Sequence, residues 1–217
     1  MMVIPSLNCG NSECTREKTR VLNDIRASWV HVDVADGIFA PVILSEDAAA
    51  IKKIFEKEEY RGNIEVHLMV AHPERWVRAW LECGARRILA HAEVVSDVEI
   101  FKKIKSECDS FGAELGVAVQ AATPETTMEQ LLAHAAFWTI LAVPIGFSGG
   151  IFEEKYALKK ILFLRKRIPG VVIEVDGGMN LKTGVLVKNA GADIIISGAF
   201  IFSHNDPGEA FRTLENL

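Results

Sequence analysis

The 217-residue chain carries 29 acidic and 24 basic residues, a formal charge of -5, with 49% hydrophobic and 24% charged residues. That balance supports one large folded core and excludes a disordered chain, while the acidic excess excludes general attraction to a nucleic-acid backbone or an anionic membrane, so neither is expected as a partner. No apolar run approaches the roughly 20 residues of a membrane span, and MMVIPSLNCG lacks a basic region followed by a cleavable apolar segment, so a cytoplasmic location is expected.

In chain order, short β-rich apolar runs alternate with longer segments of helical periodicity. The first unit pairs a strand at Val3–Leu7 with a helix at Ser12–Arg26, the second Trp29–Val34 with Glu46–Glu58, and the third Ile64–Met69 with Pro73–Cys83. The fourth pairs Arg87–His91 with Asp97–Ser110, the fifth Glu114–Gln120 with Pro124–Ala133, and the sixth Trp138–Val143 with Glu153–Ile168. Val171–Asp176 with Leu181–Ala190, and Asp193–Ser197 with Pro207–Leu217, complete the series. Pro73 and Pro124 suit first helical turns, and Gly84, Gly170 and Gly191 follow helices where a left-handed backbone is wanted. Eight strand-helix units in this length predict a single (β/α)8 TIM barrel spanning residues 1–217.

Cys9, Cys14, Cys83 and Cys108 lack the paired spacing of a structural zinc site and are expected to be reduced thiols, with Cys9 a small buried side chain.

In such a barrel the chemistry sits where strands end. His31 and Asp33 are two apart on one strand, so both project to one face while Val32 and Val34 project to the other, and His67 has the same setting between Val66 and Leu68. Asp176 closes VVIEV and precedes Gly177 and Gly178. Two imidazoles and two carboxylates can therefore converge, a donor set that suits zinc, iron, manganese or cobalt. Glu65 and Glu174 share the inward parity one layer deeper; at least one is expected to orient a ligand imidazole, the competing expectation being a buried carboxylate paired with a cation. GFSGG (Gly146, Phe147, Ser148, Gly149, Gly150), Gly177-Gly178 and Gly198-Ala199 follow strands six, seven and eight, where barrels hold a phosphate on backbone N–H groups.

At HVDVADG (31–37), EVHLMV (65–70) and VDGG (175–178) the sequence resembles the ribulose-phosphate 3-epimerase family, and the likeness extends through IPS (4–6), HPERWV (72–77), HAE (91–93), ATP (122–124) and GFSGG. The resemblance implies a ribulose-phosphate-binding TIM barrel acting in the pentose phosphate pathway. His31, Asp33, His67 and Asp176 would hold one divalent metal ion. Asp33 and Asp176 would serve as base and acid on opposite faces of carbon 3 of a ketose phosphate, through a metal-stabilised enediolate. Ser6, His67, Met69 and the glycine loops would contact substrate, and homo-oligomers are common in the family.

Four departures from the family pattern bear on substrate choice. Ala35 and Leu141 stand where methionines are usual, Pro144-Ile145 precedes the glycine loop, Ser148 and Gly150 alter that loop, and Ala199 replaces a hydroxyl residue. The residues for proton transfer are retained better than those for recognition. D-ribulose 5-phosphate is the expected substrate from the resemblance, and those departures make allulose 6-phosphate its competitor and a sugar-phosphate-binding homologue with lost catalysis a further alternative.

Overall fold

The computed structural model describes residues 1–45, 47–95, 97–146 and 150–217. Nine strands form one sheet: β1 Met2–Leu7, β2 Trp29–Asp36, β3 Ile43–Leu44, β4 Asn63–Met69, β5 Ala85–His91, β6 Glu114–Gln120, β7 Phe137–Leu141, β8 Val172–Asp176 and β9 Ile194–Ser197. Eight are parallel, and β1 pairs with both β9 and β2, which closes the barrel. The ninth, β3, is a two-residue antiparallel addition to the end of β2 that the sequence pattern did not announce.

The α-helices are α1 Ser12–Asp24, α2 Ala48–Lys57, α3 Val77–Glu82, α4 Val98–Ser110, α5 Glu154–Arg167, α6 Leu181–Ala190, α7 Ala199–Phe202 and α8 Pro207–Glu215. Side-chain caps start most of them: Asn11, Asp47, Asp97 and Asp206 accept first-turn N–H groups, and Asn180 forms a capping box with Thr183. Gly84, Gly170 and Gly191 have φ of +98°, +87° and +112°, as their positions after helices required.

Three helical expectations are corrected. Helix α1 stops at Asp24 because Arg26 turns left-handed at φ +55°, so the chain leaves the helix before the expected end. Pro73–Cys83 divides into a 3-10 turn at Pro73–Arg75 and the short α3, with Trp76 between them. Pro124–Ala133 forms two 3-10 turns, Glu125–Thr127 and Glu129–Leu131; the adjacent β-branched Thr126 and Thr127 and an uncapped start disfavour a continuous helix. Glu46, the expected start of the second helix, lies outside the described residues.

The main core lies between strands and helices, where Val30, Val32, Val34, Val66, Leu68 and Ile88 are fully buried. Burying those residues outward commits their neighbours to the barrel interior. Ile4, Ile194 and Ile196 form one internal cluster and Leu89, Ala118 and Phe137 another. The interior also buries polar groups at two depths, His67 and Asp176 near the mouth and Glu65 and Glu174 one layer below them.

Cys9 and Cys14 form a disulfide, which corrects the expectation of reduced thiols at these two positions. Asn11, the cap of α1, stands between them, and the two Cα atoms are 5.7 Å apart, inside the range a disulfide spans. Cys83 and Cys108 are free and buried. Among the described residues no helix is long and apolar enough to cross a membrane.

Candidate active site

Register places the chemistry. In β2 and β4, His31 lies beside Glu65, Asp33 beside His67 and Ala35 beside Met69, while Ser6 of β1 lies beside His31. Thr139 lies beside Glu174 and Leu141 beside Asp176 where β7 meets β8. Because side chains alternate along each strand, these pairs enter the barrel together and at matching heights.

His31, Asp33, His67 and Asp176 are all buried, and one nitrogen or oxygen from each lies within 4.8 Å of all the others. Asp33 Oδ1 is 3.3 Å from both His31 Nε2 and His67 Nδ1; Asp176 Oδ2 is 3.8 and 3.6 Å from the same two nitrogens. Neither nitrogen makes a directed hydrogen bond, so each is a buried polar atom without a partner. Unsatisfied buried groups of this kind are rare and call for a ligand. Two atoms each ~2.1 Å from a common ion at a tetrahedral angle lie about 3.4 Å apart, close to the observed spacings. The donor set and its geometry therefore fit a divalent cation.

The electrostatics agree. Burial works against a charged His31, but Asp33 and Glu65 outweigh it and hold the imidazole well above the ordinary histidine range. Burial likewise opposes a charged His67, and Asp176 with Asp33 raises it. Burial would raise Asp33, yet His31 and His67 hold its carboxyl far below the usual range. The cluster demands positive charge, which protons or a metal ion can supply.

The other atoms of these four groups are held. Asp33 Oδ2 accepts the Ser6 hydroxyl at 2.8 Å and the Asn8 amide at 3.4 Å. His31 Nδ1 meets Glu65 Oε1 at 2.7 Å, so Glu65 orients the imidazole as expected. Arg87 joins Glu65 at 3.3 Å to Glu174 at 3.0 Å and packs over Trp29 and Phe137. Glu174 thus follows the competing expectation, a carboxylate paired with a cation. Burial, reinforced by Glu65, raises Glu174 well above the carboxylate range, whereas the His31 and Arg87 contacts overcome burial to lower Glu65. On the opposite side, His67 Nε2 meets His91 Nε2 at 2.8 Å, and His91 Nδ1 meets Glu93 Oε2 at 3.1 Å.

Above the cluster a small pocket of about 70 Å³, partly open to solvent, is lined by Ser6, Asn8, Asp33, Met69, Leu141, Val143, Gly146, Asp176, Gly177, Gly178, Met179, Ile196, Gly198, Ala199 and Phe200. Ser6, Met69, Gly146, Gly177, Gly178, Gly198 and Ala199 were anticipated as substrate contacts. His67 is fully buried beside the two aspartates and does not line the pocket. Phe147, Ser148 and Gly149 lie outside the described residues. Gly177 is at φ +96°, and a Cβ there would meet Val143 Cγ2 at 2.4 Å, so this turn beside Asp176 needs glycine. Sequence reasoning missed Asn8, although it shares Ser6's parity, and missed Arg87, because a charged residue near a strand start reads as surface.

A family model described as "Ribulose-phosphate 3 epimerase family" matches residues 2–202. The chain belongs to the ribulose-phosphate 3-epimerase family. The ribulose-phosphate 3-epimerase of Schizosaccharomyces pombe is 31% identical over 217 residues, covering 99% of this chain and 92% of the relative. The Candida glabrata ribulose-phosphate 3-epimerase is 30% identical, covering 90% and 83%, and the chloroplastic ribulose-5-phosphate-3-epimerase of Arabidopsis thaliana is 30% identical, covering 99% and 76%. Among solved structures, 3-hexulose-6-phosphate synthase from Salmonella typhimurium superposes with a TM-score of 0.74 at 18% identity, covering 100% of this chain and 97% of that one. At that identity the likeness shows the fold alone. Family membership makes this chain a ketose-phosphate epimerase, and the buried cluster of His31, Asp33, His67 and Asp176 could hold a metal ion.

Proposed function

We propose that the chain interconverts D-ribulose 5-phosphate and D-xylulose 5-phosphate by inverting carbon 3. One observation carries the reading: two buried carboxylates, Asp33 and Asp176, share the same pair of imidazoles at the floor of a pocket whose rim is rich in glycine. A proton beside a ketone can be taken from one face and returned to the other only if an acid and a base flank the same carbon.

In this reading Asp33 and Asp176 exchange the proton, and Ser6 and Asn8 hold Asp33 Oδ2 in place. His31, Asp33, His67 and Asp176 hold one divalent cation, whether zinc, iron, manganese or cobalt. When bound, the cation supplies positive charge that stabilises the enediolate formed by proton removal. Met69 and Leu141 form the apolar wall that excludes water, and Gly146, Gly177, Gly178, Gly198 and Ala199 receive the phosphate end. The Cys9–Cys14 disulfide sits poorly with the cytoplasmic location expected from the N-terminal sequence, since such bonds are rare in reducing compartments.

A second reading, epimerisation of allulose 6-phosphate, is favoured by Leu141 in the pocket wall, by the small Ala35 packed with Met69, and by Ala199 at the rim. The deciding experiment follows deuterium uptake from heavy water into a panel of ketose phosphates with metal supplied. Exchange at carbon 3 of ribulose 5-phosphate, lost by at least 10²-fold in D33N and D176N with the fold retained, is the expected result. Full activity in both variants defeats the mechanism, preference for allulose 6-phosphate selects the second reading, and binding without exchange identifies a homologue that has lost catalysis.

A further inference from the structure

Sequence motif HAE (91–93) supplied no role in the proton exchange, yet it ends in a buried line of hydrogen bonds that reaches the metal cluster. His67 presents Nδ1 to Asp33 and Asp176 and Nε2 to His91 Nε2 at 2.8 Å. The two rings are 17° from coplanar with centroids 4.9 Å apart, the separation of imidazoles meeting nitrogen to nitrogen in a shared plane. His91 is fully buried, lies edge-on to Phe39, and turns Nδ1 to Glu93 Oε2 at 3.1 Å. Glu93 Oε1 accepts the Gln120 backbone N–H at 2.9 Å and the Thr123 hydroxyl at 2.5 Å.

This line has a polarity. The Gln120 N–H cannot rotate and can only donate, so an acceptor must stand at Glu93 Oε1. A carboxylate also offers an acceptor at Oε2, so His91 carries its proton on Nδ1. His91 Nε2 is then an acceptor and His67 Nε2 a donor, so when the His67 ring is neutral its lone pair is on Nδ1, facing Asp33 and Asp176. We infer that Glu93 and His91 are positioning residues whose hydrogen-bond direction fixes the His67 tautomer that can ligate the metal. This inference rests on the metal-dependent reading of the site and extends its supporting shell two residues beyond the ligand. Glu65 does the same for His31 in one step.

Glu93→Gln tests the direction without changing the shape. The Gln120 N–H holds the amide oxygen at the Oε1 position, so the amide NH2 faces His91 Nδ1 and reverses each bond, placing a proton on His67 Nδ1. Zinc affinity, measured by competition with a chromophoric chelator at fixed pH, is expected to fall about 10–100-fold in E93Q. Thr123→Val, which removes a donor but leaves the carboxylate, is expected to change it less than about threefold. Nitrogen-15 histidine spectra of the zinc-loaded wild-type protein provide a reading independent of any variant: His67 should be protonated at Nε2 and His91 at Nδ1. Wild-type zinc affinity in a folded E93Q, or the opposite tautomers in the spectra, overturns the relay while leaving the metal site standing. Failure of the wild-type protein itself to bind zinc overturns the metal reading and the relay with it.

Discussion

Arg87 is the strongest single test of how the base of the site is held. Its guanidinium contacts Glu174 at 3.0 Å, Glu65 at 3.3 Å and Glu114 at 3.0 Å, and packs on Trp29 and Phe137. Arg87→Met keeps most of the apolar packing and strips the charge. Removing one partner of a buried pair costs about 3–5 kcal/mol. The lower end applies, because the Glu114 side chain is 58% exposed, where an ion pair contributes little. A loss of about 3 kcal/mol lowers the melting temperature of a domain this size by roughly 6–12 °C. Thermal melts and urea titrations followed by circular dichroism measure it. The pH dependence has a definite sign: Arg87 is among the groups that hold Glu65 below the usual carboxylate range, so its contribution is present above about pH 4.5 and is lost as pH falls through the lowered folded value. The gap between wild type and R87M must therefore narrow in acid. A melting temperature within about 2 °C of wild type at pH 7, or a gap that widens as pH falls, would refute the reasoning.

Metal binding should strengthen with pH. In the metal-free protein His31 and His67 both hold protons above the ordinary histidine range, and a cation must displace them, so below those raised values zinc affinity should fall by up to about tenfold per pH unit for each proton released. Chelator competition at pH 6, 7 and 8 measures the slope, and a flat profile contradicts the assignment. Cys14→Ser should lower stability by about 2 kcal/mol through the short loop that the disulfide closes. The difference should vanish in dithiothreitol, and a difference that persists there would show that the serine acts by some other route.

Much of the site was legible before any coordinates. HVD and EVHLM place ligand-type side chains at every second position between valines and leucines, and alternation alone sends them to one face. The eight-fold repeat of strand and helix then makes that face the inside of a barrel. The orientations of the His31 and His67 rings were beyond that reasoning, because Glu65 and His91 hold them from neighbouring strands. Arg87 was equally hidden: nothing local distinguishes it from Arg86, and only its inward parity and the closed barrel put it between two glutamates.

Local pattern by itself therefore determined the barrel, its polar mouth and the four convergent groups, since strand periodicity and turn glycines act over a few residues. Tertiary structure decided the rest. It joined Cys9 to Cys14, reduced Pro124–Ala133 to two 3-10 turns, and shifted the buried carboxyls of Glu65 and Glu174 in opposite directions around one arginine. Those outcomes depend on which strands become neighbours and at what register, and a through-space field between residues as far apart as Arg87 and Glu174 is settled only when the barrel closes.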